Sequence, residues 1–344
     1  MFCLTHTRHC QRSPLVLRGT LLVSAVLSLF AMPVGLYALD GDPPAGKTPQ
    51  ANADAAREAE MQFPVTASAL VKGKFNRSEG IAFNGEGDLF VTANAALWRI
   101  DTAGEATKLT DLYSNLGLAP IGKRDVLVAD FGPTSAFDGS EYDDGIVWRV
   151  TPEGKKKIVA RGIGDPNFIL VLKDGTFLVS DDATNEIFKV EQDGTVNLFT
   201  TAVNHPNGLA LSADETVLYI AQIFNSIRPI TIDNRLWALQ LEDGRPKGQP
   251  TVVAKTGERG ANDGLARDVL DRIYIAANGE GKIYRFDPAT NKLIVVAENM
   301  PHVASLAFGR GEFDHKTIYA TSTRRGGGTI WMVPVGVEGA PLYR

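Results

Sequence analysis

The chain has 344 residues, 44% of them hydrophobic and 22% charged, with a formal charge of −5 and two cysteines. This mildly acidic balance argues against nucleic acid or an anionic membrane surface as a partner. Both cysteines, Cys3 and Cys10, precede the body of the chain, so its fold can rest neither on disulfides nor on thiolate chemistry.

Arg8, Arg12 and Arg18 lead into an apolar run from Thr20 to Met32, and the first acidic residue is Asp40. A basic stretch followed by a short apolar one reads as a signal peptide over residues 1–38, cut after Ala38. An uncleaved signal anchor is the alternative, although Pro33 and Gly35 interrupt the apolar run and its length is short for a span. Neither cysteine follows the apolar run, so a lipoprotein anchor is not supported. Cleavage would remove three of the 35 basic residues and none of the 40 acidic ones, moving the charge to −8. A periplasmic or secreted protein without a stable membrane span is expected. Residues 39–62, Ala-rich and poor in large apolar side chains, read as a flexible linker, and residues 63–344 as one domain.

From residue 78 onward the chain repeats one phrase: a small or polar opening, an apolar strand, a turn, a second apolar strand, a third with an aromatic, then a polar fourth. The openings are Ser78-Glu79-Gly80-Ile81, Asn115-Leu116-Gly117-Leu118, Pro166-Asn167-Phe168-Ile169, Pro206-Asn207-Gly208-Leu209, Asn262-Asp263-Gly264-Leu265 and Ala304-Ser305-Leu306. The second strands answer one another, from Leu89-Phe90-Val91 to Ile318-Tyr319-Ala320, and the third strands carry Trp98, Trp148, Phe188, Trp237, Tyr284 and Trp331. No such unit can bury both of its sheet faces alone, and radial stacking does so. The expected fold is therefore all-β, a six-bladed β-propeller of four-stranded antiparallel blades. The last unit lacks an obvious fourth strand, which Val65–Val71 is expected to supply.

The innermost strand of each blade lines the channel, and one register of the openings reads Glu79, Leu116, Asn167, Asn207, Asp263, Ser305. Two carboxylates and two carboxamides then converge, and a cation is the simplest remedy for that crowding. All four donors offer oxygen, which favours a hard divalent ion, Ca2+ before Mn2+, Mg2+ or Zn2+. Glu79, Asn167, Asn207 and Asp263 are the expected metal ligands. Asn-Gly and Asp-Gly pairs are also ordinary turn signals, and only the shared register sets these apart. An ion that merely pins the blades is the alternative to a catalytic one. His205 and His302 also sit at openings and can edge a pocket. No Gly-x-Ser-x-Gly elbow, phosphate loop or His-Glu-x-x-His run appears.

With these phrases, and with His205-Pro206-Asn207-Gly208-Leu209-Ala210-Leu211-Ser212 and Gly328-Thr329-Ile330-Trp331, the sequence resembles the senescence-marker-protein / gluconolactonase / luciferin-regenerating-enzyme (LRE)-like family. That family belongs to the calcium-dependent six-bladed propellers, and the resemblance covers nearly all of residues 75–340. It implies metal ligands at Glu79, Asn207 and Asp263 and a polar pocket residue at Asn167. The implied activity is metal-dependent lactone or ester hydrolysis, a divalent ion polarising the carbonyl while Asp263 or Glu79 activates water. Asn167, Asn207, Asp165 and His205 are the expected substrate-binding residues. The partner would be a small-molecule lactone or ester, and the chain a monomer. Asp165 stands where sugar lactonases of the family often carry arginine, and it would repel an acidic product. Paraoxonase-like propellers share the general plan, but no counterpart of their histidine pair is present. The rival reading is a non-catalytic exported propeller that binds a small ligand or a partner protein.

Overall fold

The computed structural model describes residues 61–134 and 144–342. The leader and all of the linker before Met61 fall outside the described residues. Among the described residues the regular structure is all β: six four-stranded antiparallel sheets and one two-stranded hairpin. No helix among them is long and apolar enough to cross a membrane.

Each blade runs outward from an inner strand, and the inner strands are Ser78–Phe83, Leu118–Ile121, Pro166–Val171, Pro206–Leu211, Asn262–Arg267 and Val303–Phe308. The second strands beside them are Leu89–Ala93, Asp125–Asp130, Phe177–Asp181, Val217–Gln222, Ile273–Ala277 and Thr317–Ser322. The sixth blade takes its outer strand from the start of the domain: Ser68–Phe75 pairs antiparallel with Gly328–Pro334. The expected closure is therefore present, its strand lying a few residues later than Val65–Val71.

The reason for six blades is visible in the core. Buried apolar side chains fall into clusters each shared by two neighbouring blades: Ala82, Phe90 and Leu97 of blade 1, for instance, pack with Leu118, Val126 and Val128 of blade 2. The same sharing joins blade 6 to blade 1 through Val71, Phe75, Tyr319 and Ile330 against Ile81, Phe83 and Leu89. Period-2 alternation in a second strand such as Val217-Leu218-Tyr219-Ile220-Ala221 thus feeds two cores, Leu218 and Ile220 toward blade 3 and Tyr219 and Ala221 toward blade 5.

The third-strand aromatics pack into these seams and fasten strand ends. Trp98 meets Phe75 edge-on at 5.4 Å. Trp148 Nε1 donates to Asp130 Oδ2 at 3.0 Å. Trp237 Nε1 does the same to Gln222 Oε1 at 2.9 Å, so Gln222 takes the place of an acidic residue at the end of the fourth blade's second strand.

Candidate functional site

Five of the six inner strands are bulged at their openings. Their pairing with the second strand breaks between Ser78 and Ile81, Pro166 and Ile169, Pro206 and Leu209, Asn262 and Leu265, and Val303 and Leu306. A bulge leaves residues unpaired and re-aims their side chains, and the unpaired first residues here are Glu79, Asn167, Asn207, Asp263 and Ala304. The sixth register position is thus Ala304, not Ser305. Ser305 N donates to Thr321 Oγ1 at 3.0 Å, as Gly80 N does to Thr92 Oγ1 at 2.8 Å, so Ser305 corresponds to Gly80.

The glycine that follows a register residue is no turn signal in this setting. A Cβ on Gly80 would lie 2.0 Å from Leu116 O, one on Gly117 2.3 Å from Asn167 O, and one on Gly208 2.4 Å from Asp263 O. Each glycine lets its strand press against the register residue of the next blade, so the Asn-Gly and Asp-Gly pairs report blade closure. Second-strand hydroxyls tie the same seams: Thr92 Oγ1 donates to Leu116 O and Ser180 Oγ to Asn207 O, both at 2.8 Å, and Thr321 Oγ1 donates to Glu79 O.

Asn207, Asp263 and Asn167 are 1%, 4% and 5% exposed, while Glu79 is half-buried. Glu79 and Asp263 feel each other: burial first, then the Asp263 charge, pushes Glu79 up to about 8, with Arg77 opposing. Burial likewise pushes Asp263 up to about 7 against the hydrogen bond from Asn278. The amide oxygen Asn207 Oδ1 is buried with no hydrogen-bond partner.

Two residues that sequence reasoning missed complete the wall. Asp182 and Asn278 each stand one residue beyond a second strand, after Asp181 and Ala277, which pair with Pro166 and Asn262. Asn167 Nδ2 donates to Asp182 Oδ2 at 2.8 Å. Asn278 Nδ2 donates to Asp263 Oδ2 at 3.0 Å and to Thr323 Oγ1 at 3.2 Å. Burial, and then the charges of Asp181, Glu79, Asp165 and Asp263, push Asp182 well above the usual carboxylate range. The register of the strand exits could have found both residues.

His205, with φ 47°, turns its Nδ1 to Asp182 O at 3.0 Å, and its ring meets Phe224 edge-on at 6.3 Å. His302 is exposed, with Nδ1 3.4 Å from Asn278 Oδ1. Asp165 is buried, and its N–H donates to Asp181 Oδ2 at 3.2 Å. Within residues 222–234, Phe224–Ile227 pairs with Ile230–Ile232 as a hairpin. Most of 131–144 lies outside the described residues. Among the described residues no three His, Cys, Asp or Glu side chains gather as a metal-binding group. The ring's donors are two carboxylates and two carboxamides instead.

Residues 175–324 match the family model described as the SMP-30/Gluconolactonase/LRE-like region. The chain carries an SMP-30/gluconolactonase/LRE-like region. That region holds the openings of blades 4 to 6, Asn207 and Asp263 among them. Pentonolactonase XacC of Haloferax volcanii is 27% identical over 239 residues, 62% of this chain and 79% of that protein. Lactonase drp35 of Staphylococcus epidermidis is 27% identical over 253 residues, 67% of this chain and 72% of that protein. Among solved structures, the calcium-binding protein regucalcin of Agrobacterium tumefaciens superposes with a TM-score of 0.65 at 21% identity, covering 82% of this chain and 98% of that one. At such identity the likeness speaks for the fold, which is the six-bladed propeller expected from the repeats.

Proposed function

We propose that this protein is an exported, metal-dependent hydrolase that opens a lactone or a related ester. The observation that carries the reading is the orphaned oxygen at the register ring. Asn207 Oδ1 is buried without a hydrogen-bond partner, beside two carboxylates whose ionisation burial suppresses. Such oxygens are costly to bury, and one divalent cation is a partner that satisfies them together. Glu79, Asn167, Asn207 and Asp263 would hold it, and an all-oxygen donor set suits a hard ion, Ca2+ first. When bound, the ion supplies Lewis-acid polarisation of the acyl oxygen.

The chain's own residues do the rest. Asp263, steadied by Asn278, or Glu79 takes a proton from the attacking water. The water oxygen bonds to the acyl carbon, the ring C–O bond breaks, and the proton passes to the leaving alkoxide; the new carboxylic acid loses its own proton to solvent. Asn167 and Asn207 orient the acyl group, and Asp165 and His205 wall the mouth. The names of the two lactonase relatives support this chemistry, and the basic and apolar leader supports export.

The test is Asp263→Asn, followed by acid release from a panel of lactones and esters with Ca2+, Mn2+ or Zn2+ supplied. A fall of roughly 10²-fold or more is expected for loss of a general base. Wild-type turnover in that variant would remove Asp263 from the mechanism.

A further inference from the structure

The bulge that aims each register residue also places the residue two positions before it, at the outer rim of the mouth. In the five bulged blades that rank reads Arg77, Asp165, His205, Ala261 and His302. His205 Nδ1 is turned to Asp182 O and His302 Nδ1 to Asn278 Oδ1, while Asp165 is buried in blade 3. Arg77 is half-buried, its Nε is buried without a hydrogen-bond partner, and its guanidinium enters no ion pair among the described residues. Its charge reaches Glu79 and opposes the rise of that carboxyl, yet the two are not joined as a pair. One divalent ion balances Glu79 and Asp263, so the ring does not consume the arginine's charge.

The turn after the second strand of blade 6 brings two more arginines to the same edge. Thr323 stands one residue past Thr317–Ser322, as Asp182 and Asn278 do past their strands, and its Oγ1 accepts from Asn278 Nδ2. Arg324 and Arg325 follow it and are exposed. Gly326 N donates to Asn76 Oδ1 at 2.6 Å and Ser78 Oγ to Ser322 O at 3.2 Å, which fastens this turn to the residues on either side of Arg77. Neither guanidinium of the turn forms a hydrogen bond or an ion pair among the described residues. Three arginines thus stand along the seam of blades 6 and 1, and blade 3, with Asp181 and Asp182, lies across the channel from blade 6.

A guanidinium without a partner, its Nε held in a buried position, is a pre-set fork for a planar anion. We propose that the substrate carries a carboxylate, which Arg77 grips at the edge of the mouth while Arg324 and Arg325 draw it in, making it a carboxylate-bearing lactone or ester. The inference rests on the lactone-hydrolase reading and names its substrate class. Arg77 is then a specificity residue, because it fixes which end of the substrate faces blades 6 and 1 and so leaves the acyl group over the ring. A cationic group at that end would meet three like charges and be rejected.

Two lactones of one ring size isolate the charge: γ-butyrolactone bearing a γ-carboxylate, and the same ring bearing a γ-carboxamide. With the metal-loaded wild-type protein, kcat/KM is expected to favour the carboxylate by at least about tenfold, the equivalent of about 1.4 kcal/mol. Arg77→Gln should lower that ratio severalfold, through the KM of the carboxylate rather than kcat, since the contact is made in the ground state and the transition state alike. The ratio is blind to what the substitution does to folding or to the ion, because both lactones meet the same protein and metal. Added salt should shrink the wild-type ratio, and Arg324→Gln with Arg325→Gln should remove most of that salt dependence. Equal kcat/KM for the two lactones would overturn the proposal. So would an unchanged ratio in Arg77→Gln, which would give the carboxylate to the ion, and undiminished salt dependence in the double variant would strike Arg324 and Arg325 from the site. Should no lactone be turned over, the lactonase reading fails on its own, and equilibrium binding still decides the inference. The γ-carboxylate of the corresponding lactam, which resists hydrolysis, should bind more tightly than the lactam γ-carboxamide in calorimetric titration, and Arg77→Gln should erase the difference. Equal binding of the two lactams by the wild-type protein would refute the carboxylate site.

Discussion

Gly208→Ala tests whether close approach of the inner strands sets the ring. The added Cβ would sit 2.4 Å from Asp263 O, 2.6 Å from Leu265 N and 2.9 Å from the carbonyl carbon of Gly264, all backbone atoms of blade 5. Real Cβ contacts below 3.0 Å essentially never occur, so blade 4 or blade 5 must shift by roughly half an ångström or more at this seam. Overpacking of a close-packed interior costs about 1–3 kcal/mol. At about 2–4 °C per kcal/mol for a domain of this size, Tm should fall by about 2–12 °C. The shift also drags the Asp263 backbone, so Ca2+ affinity should fall with stability. Gly327→Ala is the control, because its Cβ would meet only the flexible Arg324 side chain, at 3.4 Å. Differential scanning fluorimetry, with and without Ca2+, reads both. If Gly208→Ala melts with Gly327→Ala, the Asn-Gly pair is not held by strand packing and the reasoning fails.

Thr321→Val should destabilise by about 1–3 kcal/mol in denaturant melts, because it strips the Ser305 N–H and the Glu79 carbonyl of a shared buried partner. Asn278→Ala removes the hydrogen bond that opposes burial at Asp263, so the acidic limb of the pH–rate profile should move up in pH, with kcat/KM falling about tenfold at neutrality. The ring also sets a pH dependence of the metal-free fold. Glu79 is raised from 4.5 to about 8, so the folded state holds a proton that the unfolded chain has lost. Stability present below about pH 4.5 should therefore drain away as pH rises toward 8, and Asp263, raised from 3.8 to about 7, adds in the same sense. Thermal melts of chelator-treated protein from pH 5 to 8 should show falling Tm, and saturating Ca2+ should flatten the trend; a rising Tm without metal would contradict it.

Much of the fold was legible because radial repetition keeps one register six times over. The apolar second strands and third-strand aromatics needed no long-range information to align. The ring was legible for the same reason at Glu79, Asn167, Asn207 and Asp263. The slip to Ser305 arose from following polarity; counting back two residues from the first apolar strand residue, as Asn207 lies from Leu209, gives Ala304. Asp182 and Asn278 escaped because they stand past strand ends, inside turns whose Asp and Asn look like ordinary turn chemistry. The role of Gly80, Gly117 and Gly208 was hidden too, since a sequence shows the glycine and not the neighbouring backbone that demands it. Nor did the pattern foretell the hairpin inserted after Gln222, whose exposed Ile230 and Ile232 follow no core-facing alternation.

Calorimetric titration of Ca2+ into chelator-stripped protein, in buffers of different ionisation enthalpy, tests the metal-bearing ring most directly. One ion per chain should bind at neutral pH with net proton release, since Glu79 and Asp263 must ionise to hold it. Asp263→Asn and Asn207→Ala should each weaken that binding by tenfold or more. No binding by the wild-type protein, or undiminished binding by both variants, would place the ion elsewhere and contradict the account.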